Sequence, residues 1–219
     1  LFIDPDKLTP SIASELQSQG VKTANYNHIF DYIEELPEKT TICVTESKIN
    51  YTLYQHLSAR CKVIDLPSPI DLMKSMKNET ELNGFRRAMV KDGVALIRFY
   101  MWLEKAVPTG MVTEMTIAEK LREFRSQQEQ YMGESFGTIA GYAAHGAIVH
   151  YSATPESNSI IEPRGLLLID SGAQFMHGTT DITRTVALGE IAPQMKSDYT
   201  KVLKGHIALA TAIYPEGTR

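Results

Sequence analysis

Leu166-Leu167-Leu168-Ile169-Asp170-Ser171-Gly172 is the most informative stretch of the chain. Four aliphatic residues in a row predict a buried strand. A carboxylate at the end of such a strand has to be hydrogen-bonded, paired or bound to a cation, because burying a bare charge is too costly. Eleven residues on, Asp181 opens Asp181-Ile182-Thr183-Arg184-Thr185-Val186. In an extended strand Asp181, Thr183 and Thr185 share one face by period two. Two carboxylates on neighbouring strands, with no lysine close in sequence, suit a hard or borderline divalent cation. A structural alternative stands beside this one: Asp170 caps the turn that follows its strand, and Asp181 pairs with Arg184.

Outward from this pair the strand signature continues. Short β-rich pieces at 136–142, 147–151, 174–177 and 181–188 lie between Gly and Pro residues and predict an antiparallel sheet. His150 sits in the apolar piece 147–151 and is a second candidate site residue, against the alternative of a satisfied core histidine. His28, His56, His145, His177 and His206 lack that setting and read as surface or helix residues.

Upstream, residues 78–106 read as one long helix, with Leu82, Phe85, Met89, Gly93, Leu96, Phe99, Tyr100 and Leu103 stepping by three and four. Tyr100 and Trp102 read as core. Arg86-Arg87, beside Glu79 and Glu81, reads as a solvated face. Pro108 and Gly110 stop the helix, and Thr116 with Glu119 forms a capping box for a second one running to about residue 130. Downstream, Pro193 opens a last helix with Met195, Tyr199, Val202, Leu203, Ile207 and Ala210 on its apolar face, ended by Pro215-Glu216-Gly217. Two helices, a sheet and a helix give residues 73–219 an α+β order.

Residues 1–66 alternate differently. Strands are expected at 1–3, 41–45 and 61–66, with an extended piece at 21–26. Helices are expected from Thr9-Pro10-Ser11 to Gly20, from an Asn27 cap to Pro37, and over 50–59. That alternation predicts an α/β layer. Pro67-Ser68-Pro69 is the best boundary signal and divides the chain into domains 1–72 and 73–219. The first carries six basic and ten acidic residues; the second is balanced at 16 of each.

Composition excludes several function classes. With 219 residues, 43% hydrophobic and 22% charged, the chain is ordinary globular protein and neither disordered nor collagen-like. The net charge of −4 offers no basic excess for nucleic acid. Cys43 and Cys61 are too few for a disulfide framework, and their apolar settings predict buried thiols. No apolar run reaches the ~18 residues of a membrane span, and Asp4 and Asp6 follow Phe2-Ile3 where a signal peptide would stay apolar. No membrane partner and a cytoplasmic location are the expectation. Leu1 rather than Met opens the chain. No P-loop, GxGxxG turn or GxSxG elbow is present.

Four segments carry a family resemblance: Ser-Phe-Gly-Thr-Ile at 135–139, Gly-Ala-Ile-Val-His-Tyr at 146–151, Leu-Leu-Ile-Asp-Ser-Gly-Ala at 167–173 and Gly-Thr-Thr-Asp-Ile-Thr-Arg-Thr at 178–185. They resemble the Xaa-Pro aminopeptidases (aminopeptidase P) of the pita-bread metallopeptidases, most closely the three-domain cytosolic form. The likeness continues through Val-Ala-Leu at 94–96, Trp-Leu-Glu-Lys at 102–105, Val-Leu-Lys-Gly-His-Ile-Ala at 202–208 and Pro-Glu-Gly-Thr at 215–218. Residues 1–72 look like the C-terminal part of a creatinase-type α/β domain, and 73–219 like the N-terminal half of the pita-bread domain.

The resemblance implies a hydrolase with two divalent metal ions, typically manganese. Asp170 matches a ligand that binds one ion with both oxygens, Asp181 the aspartate that bridges the two, and His150 the histidine that contacts substrate and helps proton transfer. A water held between the ions attacks the peptide carbonyl. Substrates are peptides with proline in the second position, and the parent protein is a homodimer. The family's remaining ligands, a histidine and two glutamates, fall beyond Arg219, so the chain reads as an internal piece, inactive on its own. Prolidase, which cuts Xaa-Pro dipeptides, is the near alternative. A non-catalytic, protein-binding pita-bread relative is the distant one, disfavoured because both aspartates are present.

Overall fold

Capping residues written in the sequence set most helix boundaries of the chain. A computed structural model describes residues 1–215, 217 and 218, and divides into two units, Leu1–Met76 and Lys77–Arg219.

In the first unit, α1 (Pro10–Ser18) starts where Thr9 Oγ1 accepts from Ile12 N at 3.3 Å, and Gly20, with φ +76°, lies just past its end. A 3-10 turn precedes α2 (Ile29–Glu35), and its cap is Asn25 rather than the expected Asn27, accepting from Asn27 N at 3.1 Å. β1 (Thr41–Val44), α3 (Tyr51–Arg60, capped by Asn50) and β2 (Lys62–Asp65) form a parallel βαβ unit. Ser68 caps the short α4 (Pro69–Ser75). Ile33, Val44 and Leu57 are the core.

Two further expectations fail in this unit. Residues 1–3 make one parallel bridge, Phe2 to Ala24, and no strand. Cys43 is exposed and Cys61 half-buried, not the buried thiols expected. The strand period explains Cys43: Ile42 and Val44 turn to the helices, so Thr41 and Cys43 face water.

In the second unit, α5 (Glu79–Ala106) begins with a full capping box between Asn78 and Glu81, both bonds 2.9 Å. Its buried stripe is Ala88, Asp92, Ala95, Leu96, Phe99 and Leu103. α6 (Glu114–Ser126) is capped by Thr113, one turn before the expected Thr116–Glu119 box, with Thr113 Oγ1 accepting from Thr116 N at 3.2 Å. Ile117 and Leu121 on this helix are fully buried in the core.

The strands are β3 (Tyr131–Glu134), β4 (Ile139–Tyr142), β5 (Leu166–Ser171), β6 (Ala173–Phe175), β7 (Gly178–Thr179) and β8 (Ile182–Ala187), followed by α7 (Pro193–Ala210). They form two antiparallel sheets, β4-β5-β8 and β3-β6-β7, where a single sheet was expected. Residues 147–151 are not a strand. A 3-10 turn (Ala143–Ala147) leads into them, and Val149 is 83% exposed. His150 takes φ +56°, which no ladder accommodates.

β5 is buried on one face only. Leu167 and Ile169 are buried with α5 and α6 in the main core and Ser171 is buried on the same face, whereas Leu166, Leu168 and Asp170 are half-buried. A continuous aliphatic run anticipates cover on both faces. Tyr100 and Trp102 are half-buried against the same core rather than inside it. The apolar positions of α7 are exposed, Val202 by 73%, and no residue of that helix is buried. Of the expected Pro215-Glu216-Gly217 stop, Glu216 lies outside the described residues; α7 itself ends at Ala210, with Thr211 as its C-cap.

Candidate metal centre

The β5–β8 ladder determines what Asp170 can meet. Its register sets Asp170 opposite Thr183 and Ser171 opposite Ile182. Directly opposed residues project to the same face. Thr183 Oγ1 accordingly donates to Asp170 Oδ1 at 2.7 Å. Asp181 lies one residue before β8 and two before Thr183, so period two continues it on that face. It is exposed and makes no hydrogen bond or ion pair among the described residues. The structural alternatives do not form. Arg184 Nη1 donates to the Thr183 carbonyl at 2.7 Å instead of pairing with Asp181, and Asp170 accepts from a strand hydroxyl rather than from a turn amide.

Beneath this face lies a network that the sequence reading missed. Arg125 and Asp92 are each 0% exposed. The guanidinium grips the carboxylate with two arms, Nε to Oδ1 at 2.7 Å and Nη2 to Oδ2 at 3.1 Å. Its third arm, Nη1, donates to the Gly172 carbonyl at 3.3 Å. Thr180 Oγ1 donates to Asp92 Oδ2 at 2.6 Å and accepts from Ala173 N at 2.9 Å. Ser135 Oγ donates to the Thr180 carbonyl at 2.9 Å. Gly172 is required here, since a Cβ on it would meet Thr180 O at 2.1 Å and Ser135 Oγ at 2.2 Å. A signal was available: Asp92 follows Ala88 by four, and Arg125 follows Ile117 and Leu121 by eight and four, so both charges fall on buried helical faces.

His150 is exposed and belongs to a different segment. Among the described residues no group of three or more His, Cys, Asp and Glu converges to hold a metal ion. The segment of His150 is tied down by Glu114, a buried carboxylate at the start of α6. Glu114 accepts from Tyr142 N at 2.8 Å, Ser159 N at 3.0 Å and Tyr151 OH at 2.9 Å, and pairs with His145 Nδ1 at 2.9 Å. His145 stacks on Tyr151, ring centroids 4.5 Å apart, and is no surface residue. Burial, with the neighbouring Glu114 carboxylate adding to it, raises the Tyr151 phenol's pKa and keeps it a donor, while its bond to Ser157 opposes the rise. On α5, burial likewise raises the Tyr100 pKa despite nearby Arg184 and Arg125.

Comparison with known proteins gives this geometry a family. Residues 83–219 match the model of metallopeptidase family M24, and residues 1–81 that of the creatinase/prolidase N-terminal domain. A probable Xaa-Pro aminopeptidase P from Sclerotinia sclerotiorum is 40% identical across all of this chain, which spans 38% of that relative. Aminopeptidase P2 of Arabidopsis thaliana is 37% identical, again across the whole chain, which spans 35% of it. The crystal structure of an X-prolyl aminopeptidase from Caenorhabditis elegans, described as a cytosolic enzyme with a di-nuclear active site, superposes with a TM-score of 0.83 at 30% identity, over 99% of this chain and 36% of that one. The fold is therefore a creatinase-type domain followed by part of a pita-bread catalytic domain. With more than half of its length matched by the catalytic-domain model, the chain belongs to metallopeptidase family M24.

Proposed function

We propose that the chain is part of a dinuclear, manganese-dependent Xaa-Pro aminopeptidase of the cytoplasm, which releases the first residue from peptides with proline in second place. The observation that carries this reading is the Asp170/Asp181 pair: one carboxylate on β5 and one immediately ahead of its ladder partner β8, neither countered by a Lys or Arg. Such a donor set, all hard oxygen, fits divalent cations. Among the described residues no helix is long and apolar enough to cross a membrane. The relatives named above are aminopeptidases rather than dipeptidases, which favours that activity over prolidase.

In this mechanism Asp170, its carboxylate restrained by Thr183, and Asp181 would be the residues of this chain that hold the cations. Bound ions supply Lewis acidity toward the peptide carbonyl and lower the pKa of water. His150 orients the substrate and moves a proton at its imidazole. The domains proposed are a creatinase-type domain over 1–72 and a catalytic portion over 73–219, in a homodimeric parent.

Asp181→Asn in the full-length protein tests the reading. The change keeps the size and removes the charge that holds two cations together. Loss of Xaa-Pro cleavage is expected, with elemental analysis showing lost metal. Normal turnover at full metal content contradicts the assignment.

A further inference from the structure

The buried network holds the chain segments beside both candidate ligands without containing or touching either. One guanidinium–carboxylate plane reaches in two directions. Through Arg125 Nη1 it holds the carbonyl of Gly172, two residues after Asp170. Through Asp92 Oδ2 it holds the hydroxyl of Thr180, the residue before Asp181. The Thr180 hydroxyl returns to the backbone of Ala173, and Ser135 Oγ grips the Thr180 carbonyl. The two chain segments are thereby pinned to α5 and α6, and to each other, at a spacing only Gly172 permits.

Stability does not explain this arrangement. Burying two charges incurs a desolvation penalty comparable with their attraction, and well-packed apolar residues in place of a buried ion pair are commonly as stable or more so. A buried pair whose spare hydrogen bonds all end beside the two aspartates is explained by geometry. Two carboxylates meant to share cations repel when no cation is present, and something must hold them at the right separation.

We propose that Arg125, Asp92, Thr180 and Ser135 are positioning residues that preset the separation of Asp170 and Asp181 for a pair of divalent cations. The proposal rests on the metal-centre reading above. Its chemistry is that of groups that orient ligands without binding the ion, whose removal typically lowers metal affinity roughly 10–100-fold.

The test uses the full-length protein with Mn²⁺ as the probe. Thr180→Val keeps the shape and removes the hydroxyl, Thr180→Ser restores it, and Ser135→Ala removes one half-buried bond. Titration calorimetry gives affinity and stoichiometry, electron paramagnetic resonance reports whether two manganese ions are coupled, and a melt of the metal-free protein reports the fold. The expected result is a loss of roughly 10–100-fold in affinity and of the coupled signal for Thr180→Val. Recovery is expected for Thr180→Ser, and a smaller loss for Ser135→Ala. A melting temperature that falls while affinity and coupling stay at wild-type values overturns the proposal. If Thr180→Val does not fold, Ser135→Ala decides, and unchanged affinity there is equally fatal. Wild-type protein that binds no pair of manganese ions removes the metal-centre reading itself, a separate outcome.

Discussion

His150 shows how one residue's backbone carries information about its role. Its φ of +56° is rare for a residue with a Cβ, although histidine tolerates it better than most. Next to it Tyr151 is buried and bonded to Glu114, while His150 itself stands exposed. An anchored neighbour and a strained backbone together aim an imidazole outward, an arrangement that packing does not require. His150→Ala in the full-length protein is expected to lower turnover by ~10²–10⁴-fold, the usual effect of losing a positioned proton-transfer group. Metal content should stay at the wild-type level. Metal and activity falling in proportion would make His150 a ligand or a packing residue instead.

At the scale of elements, α5 is the support against which the β6–β7 hairpin is built. Gly84 on α5 lies so close to the turn between β6 and β7 that a Cβ there would meet His177 O at 2.2 Å. That backbone carbonyl cannot swing away as a flexible side chain would. Gly93, about two and a half turns on, has nothing within 4 Å of its would-be Cβ. In an open helical site Gly→Ala gains up to ~1 kcal/mol, because glycine loses more backbone entropy on folding. In a filled site overpacking costs about 1–3 kcal/mol. The two substitutions should therefore have opposite signs: Gly93→Ala raises the denaturant midpoint and Gly84→Ala lowers it. Two shifts of the same sign would contradict the close approach of α5 to residue 177.

For the molecule as a whole, the notable quantity is apolar surface left in water. Val202 and Leu209 on α7 are 73% and 72% exposed, and the Leu166/Leu168 face of β5 is only half-covered. Contiguous exposed patches above ~600 Å² are uncommon on monomers and favour association. The 219-residue chain prepared alone is expected to bind a hydrophobic dye and to grow in apparent mass with concentration in light scattering. A monodisperse monomer that binds no dye would count against an apolar face that needs covering.

The sequence by itself determined what local rules decide. Helices opening near residues 10, 50 and 78 were legible from apolar spacing and from Pro10, both short-range features, whereas the two caps read from the sequence, Asn27 and Thr116, gave way to Asn25 and Thr113. The α+β order was legible from local patterning, as were a strand ending near Asp170 and another beginning near Asp181, while the register that sets Asp170 opposite Thr183 was not. Tertiary structure decided the rest. The 147–151 piece looks like a strand but has no ladder to join. Cys43 faces water because one side of its sheet is open. Asp92 and Arg125, 33 residues apart, meet only because α5 and α6 pack together, and Thr180 joins them from 88 residues beyond Asp92. A sequence shows that a charge lies on a buried helical face. Which partner satisfies it depends on contacts between distant segments, and those exist only once the core has formed.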